Sequence, residues 1–289
     1  MIRRTCFAVV VCLTILLGAG AWAAEEAVKI EYKFTPGEIL RYKLVVDMNM
    51  AVQSNIEQNF QIPAMQIQMV AVMRMKTLGI LPNGDAKVLT SIDSMKMKLG
   101  GVTQEVPPGD MPAVTMIMSP NGVVKQVGGL EQAGGMFAQM PFAELTNFAQ
   151  YGAFPTKPLE LGSTWVQNVQ FPLGGTVRMQ SQLTSANSKV GKYRVAEIEQ
   201  HLNGNIDMDM PKLMFAPQGQ GADAGVDMSM KGTVVSDSTL YFSVEQGKAV
   251  RTDGTGDVLM AMNISGGPAN GQMRIAMDMK FEMFLLPGK

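Results

Sequence analysis

The chain has 289 residues, of which 24 are Lys or Arg, 25 are Asp or Glu, one is His and two are Cys, and 46% are hydrophobic. A net charge of −1 without any long run of like charge argues against a nucleic-acid partner, which demands a basic face. A single histidine and two cysteines, both within the first twelve residues, leave too few ligands for zinc and only one histidine, His201, as a candidate base for a nucleophilic triad.

The first element is an export signal. Arg3 and Arg4 form a basic start, Phe7 to Leu17 an apolar run, and Ala21-Trp22-Ala23 a small-residue cleavage pattern. The run is far shorter than the roughly 20 residues a membrane-spanning helix needs. Residues 1–23 are therefore read as a signal peptide, and the rest as exported to the periplasm or the extracellular space. Cys12 lies inside the apolar run and follows Val11, so lipidation is not expected. Cleavage leaves no cysteine, 22 basic residues against 25 acidic ones, and no later apolar stretch of membrane-spanning length.

Strict alternation then dominates, and side chains two apart share one face of a strand. Val28, Ile30, Tyr32 and Phe34 alternate up to a turn at Pro36-Gly37. Leu40, Tyr42, Leu44, Val46, Met48, Met50 and Val52 form one long stripe, and Met65 to Met75 a second. Pro82-Asn83-Gly84-Asp85 is a hairpin signal. The next strand, 86–99, slips phase near Ser91 to Ser94, which predicts a bulge. Residues 115–118 and 123–127 flank the Pro120-Asn121-Gly122 turn as a short hairpin.

Residues 129–154 change period. Phe137, Met140, Leu145 and Phe148 fall near three- and four-residue spacing, and Pro141 suits a first helical turn. The spacing predicts a short helix over 141–151. Strands resume at 164–171, 175–183 and 192–210. Residues 211–225 read as a flexible loop, rich in Gly and Pro. Strands at 226–235, 238–244 and 248–264 follow, with a turn at Gln246-Gly247. The last stripe runs through Met273, Ile275, Met277, Met279, Phe281, Met283 and Leu285. The expected fold is mainly β, with long antiparallel strands in two related halves of curved sheet, 28–128 and 155–289, and a short helical connection at 129–154.

The opening from Tyr32 to Tyr42, YKFTPGEILRY, resembles the start of a family of uncharacterised exported bacterial β-rich proteins. Ser119-Pro120-Asn121-Gly122 and the approach to Leu161-Gly162-Ser163-Thr164-Trp165 are similar to it as well. The resemblance implies a secreted β-rich fold and carries no catalytic residue. Long strands around a helix also resemble the periplasmic lipoprotein-carrier folds, in which a curved sheet wraps an apolar cavity. An outer-membrane barrel is the competing architecture, and 7% aromatic residues are few for its girdles.

No motif for catalysis emerges. His201 continues the alternating register of Glu197 and Glu199 and reads as a surface-strand residue. Asp207 with Asp209, and Asp253 with Asp257 in an apparent turn, lack calcium-loop spacing. An enzyme is not expected, nor a cofactor. The outlier is methionine, 26 residues with eight Met-x-Met pairs at 48/50, 73/75, 95/97, 116/118, 208/210, 228/230, 260/262 and 277/279; random placement gives about two. Three readings follow. The stripes are core packing. They hold Cu(I) through soft thioethers. Or, because methionine is adaptable, they bind lipid or another apolar molecule. The residues singled out for a ligand face are Met48, Met50, Met73, Met75, Met277 and Met279. The expected function is that of an exported non-enzymatic protein binding an apolar ligand. Cu(I) binding, and a structural module with an envelope-protein partner, stand as alternatives.

Overall fold

The computed structural model describes residues 27–55, 64–107, 113–128, 153–170, 175–210, 227–265 and 271–288. The signal peptide, the 141–151 helix and the 211–225 loop lie outside them. Among the described residues twelve strands form one antiparallel sheet: β1 (Ile39–Ser54), β2 (Met65–Ile80), β3 (Ala86–Leu99), β4 (Val102–Val106), β5 (Val114–Met118), β6 (Val124–Gly128), β7 (Thr164–Gln170), β8 (Gly175–Val190), β9 (Tyr193–Met210), β10 (Asp227–Ser243), β11 (Lys248–Ser265) and β12 (Gly271–Leu285). The order is β6-β5-β3-β2-β1-β12-β11-β10-β9-β8-β7, with β4 on β3. Two meanders thus meet where the first strand pairs with the last. In place of two expected halves of curved sheet, 28–128 and 155–289 contribute strands to one continuous sheet. Among the described residues the connection contributes only Ala153 and Phe154, which are irregular chain.

Several local expectations change. The 226–235 and 238–244 strands are one 17-residue strand, β10, because Ser236 and Asp237 keep their partners on both sides. Asp253 to Asp257 is not a turn. It lies inside β11, with Gly254 opposite Phe281 and Gly256 opposite Met279, so its glycines make room for neighbouring side chains. Residues 28–34 alternate as expected, with Ile30 and Tyr32 buried, but pair only through an isolated bridge from Val28 to Leu159. The phase slip in β3 is a bulge. Ile92 faces Met73 and Ser94 faces Val72, which leaves Asp93 without an opposite residue.

The sheet curls strongly. Tyr32 donates its backbone N–H to the carbonyl of Pro120, just after β5, and Lys33 donates to Gly247 in the β10–β11 turn. In the sheet order β5 and β11 are five strands apart, about 24 Å if flat. Consecutive residues cannot bridge that distance unless the sheet rolls up. The two edges also approach. Phe154 donates to Asn121 in the β5–β6 turn, while the carbonyl of Ala153 accepts from the indole of Trp165 on β7, at the far edge. Among the described residues no ladder joins β6 to β7, so the roll has a seam.

Residues 28–34 and 153–159 plug one end of the roll, here called proximal. Ile30, Tyr32, Phe154 and Leu159 pack with Leu183, Ile198, Leu240 and Phe242. Tyr32 and Phe154 each meet the Phe242 ring edge-on at 5.1 Å between centroids, a geometry worth about 0.5–1.5 kcal/mol per pair beyond burial. Because these side chains pack on the apolar sheet face, that face is the inside. The outside carries Arg41, Asp47, Arg74, Lys96, Glu199, Asp253 and Lys280. Apolar inside and charged outside reverses the arrangement of an outer-membrane barrel. No helix among the described residues is long and apolar enough to cross a membrane.

Candidate functional site

The inner face has two unlike ends. At the proximal end Tyr42, Met73, Met75, Val88, Met116 and Met283 form a buried cluster beneath Phe34. The Tyr42 hydroxyl donates to the carbonyl of Ala249, 3.2 Å away, and ties β1 to β11 across the roll. Burial raises the Tyr42 and Tyr32 phenols above their ordinary range. The void beside them holds about 20 Å³, room for one water. This end is a solid core.

Towards the other, distal end the same stripes continue with no described segment over them. Met48, Met50 and Val52 of β1, Met65, Ile67 and Met69 of β2, and Ile275, Met277 and Met279 of β12 are all half-buried. The register sets them in rows. Met48 lies opposite Met279 on one side and Ile67 on the other, and Met50 lies opposite Met277 and Met65. Opposite residues in an antiparallel pair lie roughly 4.5–5.5 Å apart at Cα. The block is therefore a continuous thioether and aliphatic surface across three strands. Beyond it Val258, Met262, Met230, Ile206 and Val177 extend the apolar face, buried, across β11 to β8.

Of the six methionines singled out from sequence, four meet here: Met48, Met50, Met277 and Met279. Met73 and Met75 do not join them. They sit near the proximal end of β2, 1% and 7% exposed, as core. Their place follows from length: β2 is 16 residues long, and its C-terminal half runs under the plug. Met65, Ile67 and Met69 complete the block. Their alternation was visible in the sequence, but their facing partners were not.

Open clefts lie among the described residues of the outer face. One, about 560 Å³, lies beside Arg41, Arg74, Asp93, Lys248 and the Leu285–Gly288 tail. The bulge residue Asp93 accepts from Arg41 at 3.1 Å and pairs with Arg74 at 2.5 Å, while Lys248 pairs with Glu38 at 2.6 Å. Another, about 480 Å³, runs over Gln180, Glu199, His201, Asp237 and Lys280. His201 Nδ1 lies 2.7 Å from Asp237 Oδ1, and both residues are exposed. Asp253 and Asp257 point to this outer side, and no group of three or more His, Cys, Asp or Glu able to hold a metal occurs among the described residues.

No family model and no curated protein matches the sequence. Among solved structures the chain is similar to one described as lipid–protein interactions in lipovitellin, with 11% identity and a TM-score of 0.45. That match covers 88% of this chain and 26% of the lipovitellin chain, so the chain spans about a quarter of that protein's length.

Proposed function

We propose that the protein is exported and, without catalysing a reaction, binds lipid or another apolar molecule on the distal part of its inner sheet face. One observation carries this reading. Nine apolar residues on three neighbouring strands, Met48, Met50, Val52, Met65, Ile67, Met69, Ile275, Met277 and Met279, stay half-exposed on the concave side. The proximal part of the same face is packed solid. Exposed apolar surface on a folded protein marks an interaction site once it forms one contiguous patch. A concave patch suits a ligand better than a flat partner. Methionine suits varied ligands because its side chain is unbranched and polarisable.

Native mass spectrometry and solvent extraction of the purified chain test this. The expected result is a co-purifying apolar molecule, or saturable binding of the fluorophore Nile red that Met277→Lys abolishes. No bound molecule and no saturable signal would sink the reading.

The register favours a second reading, a soft monovalent metal. Two Met-x-Met pairs face each other, Met48 and Met50 against Met279 and Met277, so that four thioethers share one patch. Thioethers select Cu(I) over harder ions. Anaerobic titration with Cu(I) tests it, and binding that survives Met48→Leu and Met279→Leu together would discard it.

A further inference from the structure

We infer that the distal methionines are an oxidation site that controls the inner face: conversion to sulfoxides by a peroxide makes the face polar and releases its apolar ligand. The inference rests on the apolar-ligand reading and adds a chemical control to it.

The structure sorts the methionines by access. Met73, Met118 and Met283 are 0–1% exposed in the proximal core. Met48, Met50, Met65, Met277 and Met279 are half-exposed together on one patch. A solvent-borne oxidant reaches the second set without unfolding and the first set only by unfolding. The register concentrates the change. Met48 faces Met279 and Met50 faces both Met277 and Met65, so five sulfurs occupy adjoining positions on three strands. In each step a sulfur lone pair attacks one peroxide oxygen and the O–O bond breaks. The sulfur keeps that oxygen, and the other leaves as water once protonated. The thioether loses two electrons and the peroxide gains them. A flexible apolar side chain becomes a polar one with a strong acceptor.

Among the described residues the patch offers that acceptor little: the Ser236 hydroxyl, beside Met279 across Gly256, already donates to the carbonyl of Thr255. The in-phase neighbours are Val46, Val52, Ile67, Ile275 and Phe281, all apolar. An apolar ligand laid over the sulfoxides therefore covers polar oxygens without hydrogen bonds, which weakens binding roughly tenfold or more. The backbone ladder uses no thioether, so the sheet itself persists.

The test treats the purified mature chain with dilute hydrogen peroxide. It maps oxidised methionines by peptide mass spectrometry, follows the sheet by far-ultraviolet circular dichroism, and titrates Nile red before and after. The expected result is oxidation of Met48, Met50, Met277 and Met279 well before Met73, Met118 and Met283. The sheet spectrum stays unchanged and Nile red binding falls roughly tenfold or more. A variant with these four and the other half-exposed methionines of the patch, Met65 and Met69, replaced by Leu, a swap that keeps volume and polarity, is compared with its own untreated state. Its before-to-after ratio is expected near one. Unselective oxidation, full binding after the four are oxidised, or an equal loss in the Leu variant would overturn the inference while leaving the apolar-ligand reading standing. If the untreated chain fails to bind Nile red, that reading falls and this inference with it.

Discussion

Gly254 gives the sharpest test of how tightly the sheet is rolled. It lies in β11 directly opposite Phe281 of β12. A Cβ built there would fall inside contact distance of Phe281 Cζ and only 2.7 Å from the carbonyl oxygen of Asp237 on β10. The phenyl ring can swing, but the carbonyl is held in the sheet. Gly254→Ala therefore forces a backbone shift between β10 and β11. Such overpacking costs about 1–3 kcal/mol. Part is offset, by about 0.4–1 kcal/mol, because alanine restricts the unfolded chain more than glycine. A net loss of about 1–2 kcal/mol lowers the urea midpoint by roughly 0.5–1 M if the slope is near 2 kcal/mol per molar. Gly256→Ala is the internal control. Its Cβ would meet Met279 Cγ at 3.3 Å and the Ser236 side chain at 3.4 Å, which can give way, so its stability stays within about 0.5 kcal/mol of the parent. Adding Phe281→Leu to Gly254→Ala removes the ring contact but not the carbonyl contact, and recovers only part of the loss relative to Phe281→Leu alone. Equal midpoints for the two alanine variants, or a Gly254→Ala protein as stable as the parent, would refute the close approach.

Three further outcomes follow from the same packing. Lys125, 2.7 Å from the buried Asp85, donates a hydrogen bond that holds this carboxyl below its usual range, with Asn83 adding a second. The folded chain thus releases that proton more readily than the unfolded one. The contribution is complete above the ordinary carboxylate value, about 4, and is lost as pH falls through the lower folded value; Asp85→Asn should flatten the acid limb of the melting-temperature profile. For Tyr32 and Tyr42 the sign reverses, since burial favours the neutral phenol. Their contribution is complete below the ordinary value of about 10 and is lost as pH rises above it; phenolate absorbance should show a late component that shrinks in the Tyr32→Phe, Tyr42→Phe double variant. Phe242→Ala, at 0% exposure between two aromatic neighbours of the plug, Tyr32 and Phe154, should cost about 3–5 kcal/mol by denaturant titration, and Met277→Ala, half-exposed at the distal end, no more than about 1 kcal/mol.

Strand content was legible because period-two alternation survives along nearly every strand. Turns were legible where Asn-Gly, Pro-Gly or Gln-Gly demanded a left-handed residue, as the positive φ of Gly37, Gly84, Gly122 and Gly247 bears out. Even the bulge at Asp93 showed as a phase slip. Two kinds of information were not legible. Glycines inside strands looked like turns, since a missing Cβ at Gly254 signals a neighbour's side chain only once that neighbour is known. Register was hidden too. Met48 and Met279 are 231 residues apart in sequence, and only the pairing of first strand with last makes them opposite. That is why Met73 and Met75 appeared equivalent to Met48 and Met50. All four lie on the inner face, and what separates them is the position of the plug along the strands. Strand β4 was missed because Val102–Val106 has too little apolar content to alternate.

The seam gives the two ends of the roll different freedom. A fully hydrogen-bonded barrel fixes its own diameter through strand number and stagger. Among the described residues the ladder stops at β6 and β7, so their hydrogen bonding alone leaves the diameter undetermined. At the proximal end the missing constraint is supplied by other means. Ala153 and Phe154 join β7 to the β5–β6 turn, Tyr32 and Lys33 join β5 to the β10–β11 turn, and an aromatic cluster fills the interior. These contacts concentrate most large buried side chains where the roll is pinned. The distal strands inherit their order from that end through long continuous ladders, with 13 residue pairs between β1 and β12 alone. They can therefore leave Met48, Met50, Met277 and Met279 half-exposed without endangering the fold. An adaptable surface at one end depends on a rigid one at the other. Loosening the plug should widen the distal face and change what it holds, even though no plug residue touches it.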